Sequence, residues 1–217
     1  MKLLLFTDSL SLPRTEPEVC LHRDTWPELL RQQGHEVCLS AIGGATIKEL
    51  YRQTFYYKKT TYFDAVIVQS GIVDCAPRFA RRWEIKLLQQ LPLIGKKVLQ
   101  SLNHTRVRRI RKLTYTTPKT FDRYLSLFAS HFSCPVYFLS IAPVLDAYEM
   151  QLPGIRDQVQ RFNGLIENYP SIDLSDLPAD GLMSDFHHLN TKGHRFLVEK
   201  ITKLGIEIYE ISWDHTL

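Results

Sequence analysis

A serine directly after the first apolar run is the first residue whose position suggests chemistry. The stretch LLLFTDSL places Ser9 just beyond a run that is typical of a buried strand. A serine hydroxyl attacks an ester carbonyl efficiently only when a neighbouring base removes its proton. A second interpretation of Ser9 is that it caps the segment that follows. A suitable base elsewhere in the chain would favour the catalytic interpretation.

Such a base stands near the other end of the chain, in the stretch SDFHHLNTKGH (184–194). Asp185 and His188 are three residues apart, a spacing that brings both side chains to one side of a loop or first helical turn. A carboxylate that accepts the Nδ1–H of an imidazole leaves Nε2 free to deprotonate a serine. His187 competes for this role, because neighbouring side chains of an extended segment point in opposite directions. The alternative is that Asp185 caps a helix and the histidines are structural.

A metal site is the other chemistry that this stretch allows. Asp185, His187, His188 and His194 are all of ligand type, but their spacing is not that of the HExxH motif. No other cluster of acidic residues and histidines in the sequence supports a metal centre. We therefore expect His194 to be structural, and we expect neither a metal nor another cofactor.

Acyl transfer also needs N–H donors that face the negatively charged oxygen formed during the reaction. The backbone N–H of Ser9 is one candidate for this oxyanion hole. A second is Gly44 in the stretch IGGAT, because glycine has no side chain to keep a ligand from the backbone. The alternative interpretation of Gly44 is a simple turn before a helix.

The stretch QSGIVDCAPR, after the third predicted strand, supplies the remaining candidates. Gly71 and Asp74 are expected at the edge of the cleft, where they would shape the site or bind the substrate. Arg78 carries a guanidinium, a group that binds anions well.

A parallel sheet is the element that must position these residues. Short runs rich in Val, Ile, Leu, Phe and Tyr alternate with longer amphipathic stretches, as in strands buried on both faces with helices between them. The runs predict strands at 3–7, 35–41, 65–70 and 135–142, and an extra edge strand at 206–211. The stretches predict helices at 25–33, 46–56, 77–90, 119–132, 156–168 and 191–204. This order indicates a doubly wound α/β sheet, with an active site beyond the carboxyl ends of its strands.

Composition predicts one domain with a substantial core, since the chain has 217 residues of which 44% are hydrophobic. The net charge of +4 is too small to indicate nucleic acid binding. Residues 78–123 are different, with thirteen basic residues against two acidic ones. We interpret them as a basic helical or lid region. It is either solvated surface or a contact for an anionic glycan or a membrane surface.

Four cysteines, Cys20, Cys38, Cys75 and Cys134, form no CxxC pair, which argues against zinc-ribbon and thioredoxin-type sites. Their pattern favours reduced thiols. Asp8 interrupts the apolar N-terminal run before a signal-peptide core forms. No stretch of the sequence approaches the roughly 20 apolar residues of a transmembrane helix. The expected localisation is therefore cytoplasmic.

The sequence resembles the SGNH/GDSL hydrolase family, because the candidate residues stand in the order of that family's motifs. FTDSL resembles the nucleophile block, with Thr7 where the first glycine is usual, and Gly44 resembles the glycine of the second block. GIVD (71–74) resembles the GxND of the third block, but Val73 replaces the asparagine. DFHH (185–188) resembles the DxxH block. The blocks together span most of the chain.

The resemblance implies a flavodoxin-like three-layer α/β/α sandwich with a mostly parallel sheet of about five strands, formed by residues 1–217 as one domain. It also implies a triad in which Ser9 is the nucleophile, His188 the base and Asp185 the carboxylate that orients the base. The backbone N–H groups of Ser9 and Gly44 would form the oxyanion hole.

One donor of that oxyanion hole is missing, because Val73 cannot donate the side-chain hydrogen bond that the family's asparagine supplies. Removing one such donor typically costs about 10²–10³ in turnover. Arg78 is the nearest candidate substitute along the sequence.

These observations predict an SGNH-type serine esterase that hydrolyses acyl esters, acetyl esters above all, on a small molecule or a carbohydrate. One alternative is an O-acyltransferase of bacterial polysaccharide biosynthesis that uses the same triad. GIVDCAPR and the stretch from FNGLIE to DFHHLN are similar to family members associated with bacterial surface polysaccharides. A second alternative is a carbohydrate-binding module weakened in catalysis by Val73. No nucleic acid partner is expected.

Overall fold

The computed structural model describes residues 1–57, 62–91, 94–111 and 113–213, with the backbone alone at 94, 96, 99 and 205–213. A parallel sheet runs through its centre, and within the described residues it has five strands. These are β1 (Lys2–Thr7), β2 (Glu36–Ala41), β3 (Ala65–Gln69), β4 (Val136–Leu139) and β5 (Ser171–Ile172).

The strands lie in the order β2-β1-β3-β4-β5, and every neighbouring pair is parallel. This is the strand order of flavodoxin-like folds. The predicted α/β class with a parallel sheet of about five strands is therefore confirmed.

Ten α-helices connect or flank the strands within the described part of the chain. They are α1 (Trp26–Gln32), α2 (Ile47–Gln53), α3 (Ile72–Cys75), α4 (Arg82–Gln89), α5 (Ile94–Leu102), α6 (Thr105–Arg111), α7 (Pro118–His131), α8 (Asp146–Gln151), α9 (Ile155–Ile166) and α10 (Thr191–Trp213). None of the helices described is long and apolar enough to cross a lipid bilayer.

The sheet is buried on both faces because successive side chains of each strand point to opposite sides. On β1, Leu4 and Phe6 join an apolar cluster with residues of α2, α7 and α9. Leu3 and Leu5 join a second cluster with residues of α1 and α10. The three layers that result explain why the strands are continuous apolar runs in the sequence.

The expected edge strand at 206–211 is wrong, since these residues continue α10. Leu204, Ile208 and Ile211 also recur at helical spacing, so a short apolar run at this place is compatible with either structure. The outer strand is instead β5, which has two residues and is too short to produce an alternating pattern.

The basic segment (residues 78–123) contains α4, α5, α6 and the start of α7. The predicted helix at 77–90 begins later than expected, at Arg82. Before it, the N–H of Arg78 donates to the carbonyl of Leu113 at 2.7 Å. This bond joins the residues just before α4 to those just after α6. This contact lies just beyond α3, which itself follows β3.

Candidate active site

The nucleophile candidate lies at the carboxyl end of the central strand β1. The strand ends at Thr7, and a single helical turn over Ser9–Ser11 follows. Asp8 caps this turn, because its Oδ1 accepts a hydrogen bond from the N–H of Leu10 at 2.9 Å. The turn holds Ser9 half-buried at the edge of the sheet where the strands end.

Ser9, His188 and Asp185 form one continuous chain of hydrogen bonds. Ser9 Oγ lies 3.0 Å from His188 Nε2, and His188 Nδ1 lies 2.6 Å from Asp185 Oδ2. An ionised carboxylate can only accept, so Nδ1 carries the proton and Nε2 accepts from the serine hydroxyl. The imidazole is thus oriented to take the proton of Ser9, as nucleophilic catalysis requires.

The loop before α10 holds the carboxylate of Asp185 in place. Its Oδ1 accepts the backbone N–H groups of His188, at 3.0 Å, and of His187, at 3.2 Å. Burial raises the pKa of Asp185, but the hydrogen bonds from His188 and the charge and N–H of His187 outweigh it. The net effect is a pKa well below the ordinary value, so the carboxylate stays ionised and keeps the imidazole in one tautomer.

His187, the competing base, has a different set of contacts. Its Nδ1 lies 2.9 Å from the carbonyl of Asp185, and its ring stacks on Tyr148 with the centroids 5.7 Å apart. Burial and the neighbouring His188 lower its pKa. Of the two adjacent histidines, His188 is the one that hydrogen-bonds to Ser9 in the described structure.

His194 lies apart from the triad. It is buried, and its Nδ1 accepts the N–H of Trp26 at 3.3 Å. Burial lowers its pKa to about 4, as expected for a neutral structural histidine. Asp185, His187 and His188 do bring ligand atoms within 4.8 Å of one another. Asp185 and His188 are hydrogen-bonded to each other, and His187 Nδ1 lies against the carbonyl of Asp185.

Arg14 is a residue near the triad that the sequence analysis missed. Its Nη2 donates to the carbonyl of Ser9 at 2.9 Å. Nearby, Glu18 accepts the N–H of Ser184 at 2.9 Å and so joins the loop after β1 to the loop before α10. Glu18 and Ser184 are 166 positions apart, and nothing in the local sequence indicates that they meet.

Two backbone N–H groups are free to face a developing oxyanion. Those of Ser9 and Gly44 find no acceptor among the residues that the structure describes. Gly44 has φ of +69°, a conformation that glycine adopts without strain. It follows β2 and precedes α2, where Glu49 caps the helix by accepting the N–H and hydroxyl of Thr46.

Gly71 and Asp74 lie just after β3 and support the segments around the candidate site. Gly71 has φ of +126°, and a Cβ there would lie 2.6 Å from the side chain of Ile141. Asp74 is fully buried, and its carboxylate accepts the N–H of Ile47 and the hydroxyls of Ser70 and Thr116. In this structure these three groups, rather than an open cleft, surround the carboxylate of Asp74. Asp74 joins the loop after β3 to the start of α2.

Arg78 and Arg82, in the basic segment, bind the backbone of Val73 and of Gly44. Arg78 Nη2 donates to the carbonyl of Val73 at 3.1 Å, and Arg82 Nη2 donates to the carbonyl of Gly44 at 2.9 Å. Their guanidinium carbons lie 4.3 Å and 4.6 Å from the ring centroid of Tyr115. Tyr115, which the sequence analysis missed, thus connects the loop of Val73 with that of Gly44.

Two hollows lie near the candidate active site. One has a volume of about 20 Å³ and is lined by apolar side chains together with His187, among them Leu10 and Phe186. The other has a volume of about 410 Å³ and is lined by Gly44, Arg82 and other residues of α2 and α4. The first is large enough for a single methyl-sized group, and the second for a small ligand.

No protein-family model matches the sequence, and no curated protein matches it. Solved structures do share its fold. A lipase/acylhydrolase from Enterococcus faecalis superposes with a TM-score of 0.62 at 16% identity, over 93% of each chain. A member of the lipolytic protein G-D-S-L family from Veillonella parvula gives 0.58 at 13% identity, over 93% of this chain and 96% of that one.

A carbohydrate acetylesterase family member from Sinorhizobium meliloti gives a TM-score of 0.55 at 14% identity, over 94% of this chain and 96% of that one. Each likeness extends over nearly the whole of both chains. The chain therefore has the fold of the SGNH/GDSL lipolytic hydrolases and acetylesterases.

Proposed function

We propose that the protein is a serine ester hydrolase with Ser9, His188 and Asp185 as its triad. The observation that carries the proposal is the pair of contacts at His188, 3.0 Å to Ser9 Oγ and 2.6 Å to Asp185 Oδ2. The shared fold and the motif order in the sequence support the same assignment.

In this reaction His188 Nε2 takes the proton of Ser9 as Oγ attacks the ester carbonyl. The tetrahedral intermediate collapses to an acyl-enzyme, and the alcohol leaves with the proton from His188. Water, deprotonated by His188, then attacks the acyl group and releases the acid. Asp185 stabilises the imidazolium at each stage without itself being protonated, in keeping with its lowered pKa.

The backbone N–H groups of Ser9 and Gly44 are the donors for the oxyanion. Val73 supplies no side-chain donor, and Arg78 Nη2 is bound to the carbonyl of Val73. Turnover is therefore expected to be lower than that of an equivalent site with three donors, since each donor contributes about 10²–10³.

The substrate class we propose is a short acyl ester, acetyl above all, on a carbohydrate. The apolar hollow of about 20 Å³ beside His187 accommodates a methyl group and little more. One structure of the same fold is a carbohydrate acetylesterase family member, which agrees with this choice.

Hydrolysis of p-nitrophenyl acetate tests the proposal. Ser9→Ala and His188→Ala should each lower kcat by about 10³ or more, because both remove the activated nucleophile. His187→Ala, which removes the adjacent imidazole from the lining of the apolar hollow, should lower kcat much less than His188→Ala. Equal rates for wild type and Ser9→Ala would exclude the triad.

Product analysis with an acetylated sugar and an acceptor glycan separates hydrolysis from acyl transfer.

A further inference from the structure

The basic segment exposes large apolar side chains to solvent. Trp83, Leu87, Leu91 and Ile110 are 59%, 55%, 49% and 81% exposed. Burying such side chains normally stabilises a protein, so a concentration of exposed ones within one short segment indicates a surface that contacts something else.

The exposed residues of α4 lie on one face of that helix. Trp83 and Leu87 are four residues apart, and the exposed Lys86 lies beside them. Ile85 and Leu88, which are half-buried, lie towards the protein. The outer face of α4 is therefore a mixture of apolar and basic side chains.

The sequence that forms this surface is strongly basic. Residues 85–121 contain nine basic residues and no acidic one. Glu84, just before them, is already paired with Arg111 at 2.6 Å, and this ion pair connects α4 to the end of α6. On α6, Arg106 and Arg109 are exposed beside Ile110. Both helices thus present exposed apolar side chains beside basic ones, and Arg109 also lines a hollow with Glu149 and Asp157.

The same surface lies beside the candidate active site. Arg82, the first residue of α4, donates to the carbonyl of Gly44, and Lys86 lines the 410 Å³ hollow next to it. A partner bound to the outer face of α4 would therefore be close to the 410 Å³ hollow beside Gly44.

We propose that the outer face of α4 and α6 docks on an anionic lipid surface. Interfacial helices combine Trp and Leu, which enter the boundary of the acyl chains, with Lys and Arg, which attract anionic headgroups. A nucleic acid would satisfy the charges but leave Leu87 and Ile110 unburied. This inference is independent of the esterase assignment, because it uses no residue of the triad.

Co-sedimentation of the full-length protein with vesicles tests the docking. Binding is expected to vesicles of phosphatidylcholine mixed with phosphatidylglycerol, and to weaken with added salt. Lys86→Gln combined with Arg109→Gln should lower the partition coefficient about 25-fold, at roughly fivefold per charge. Trp83→Ala combined with Leu87→Ala should lower it about tenfold or more.

Matched controls remove the same charge or a similar apolar side chain elsewhere. Arg161→Gln combined with Arg195→Gln, at exposed positions on α9 and α10, should leave binding unchanged, as should Met150→Ala. Ser9→Ala should bind like wild type, so failure of the esterase proposal is distinguishable from failure of this one.

Several outcomes would overturn the docking proposal. These are no binding to the mixed vesicles, equal binding to phosphatidylcholine alone, or equal losses in the control variants. Sedimentation velocity that shows a dimer disrupted by Trp83→Ala would assign the surface to a second copy of the chain. Binding to duplex DNA that is lost in the Lys86→Gln and Arg109→Gln variant would assign it to nucleic acid.

Discussion

At the scale of single residues, the hydrogen-bonded set of Ser9, His188 and Asp185 contrasts with position 73, where valine has no side-chain donor. Ser9, His188 and Asp185 have the contacts that general-base catalysis needs. Val73 lies in the short helix α3, partly buried against the core. An amide at this position would lie where the resemblance to SGNH hydrolases places the third oxyanion donor.

Val73→Asn should therefore raise kcat for p-nitrophenyl acetate, by up to about 10², because it adds a donor to the oxyanion hole. KM should change little, since the new bond forms chiefly in the transition state. Val73→Leu is the control for a change of side-chain volume without a donor. An unchanged or reduced kcat in a folded Val73→Asn protein would show that the missing amide does not limit this site.

At the scale of elements, the site depends on how the loops after β2 and β3 are held relative to each other. Asp74 connects them beneath the cleft, and Arg78, Arg82 and Tyr115 connect them at its side. The basic segment thus supports the backbone of Val73 and of Gly44, in addition to the surface it exposes.

Tyr115→Leu should lower kcat by up to about tenfold with little change in KM, because the guanidinium contacts that orient the peptide of Gly44 are weakened. Tyr115→Phe keeps the ring and should retain the activity. The informative measurement is the affinity for a boronic acid transition-state analogue, which should fall with kcat in Tyr115→Leu. An unchanged kcat in that variant would show that Tyr115 has no positioning role.

At the scale of the whole molecule, Asp8 makes stability depend on pH. Asp8 is fully buried, and its Oδ2 has no hydrogen-bond partner among the described residues. Burial, helped by the nearby charge of Asp74, raises its pKa to about 7, even though the N–H of Leu10 lowers it. The unfolded chain ionises Asp near pH 4.

Between about pH 4 and 7, Asp8 is therefore protonated in the folded protein and ionised in the unfolded chain. The contribution of Asp8 to the free energy of unfolding is largest below about pH 4. It falls by at most about 1.4 kcal/mol per pH unit as the pH rises to about 7, and above that pH it changes no further.

Asp8→Asn, which cannot ionise, should remove this decline and be more stable than wild type at pH 8. Urea denaturation across the window measures the effect, with Asp157→Asn at an exposed position as the control. Parallel pH profiles for wild type and Asp8→Asn would contradict the assignment.

The sequence alone predicted the sheet, most helices and the candidate triad, because these depend on local patterns. The buried strands β1, β3 and β4 are continuous apolar runs, and Asp185 and His188 are only three residues apart. The two-residue strand β5 and the end of α10 were missed or misassigned, since short apolar runs fit more than one structure.

Tertiary structure alone decided which of these residues meet. Ser9 and His188 are 179 positions apart, and they touch because parallel strands bring the loops at their carboxyl ends to one edge of the sheet. Arg14 and Tyr115 carry no spacing signal, so their contacts appear only in three dimensions. The burial of Asp74 also comes from packing of distant segments, which no local pattern records.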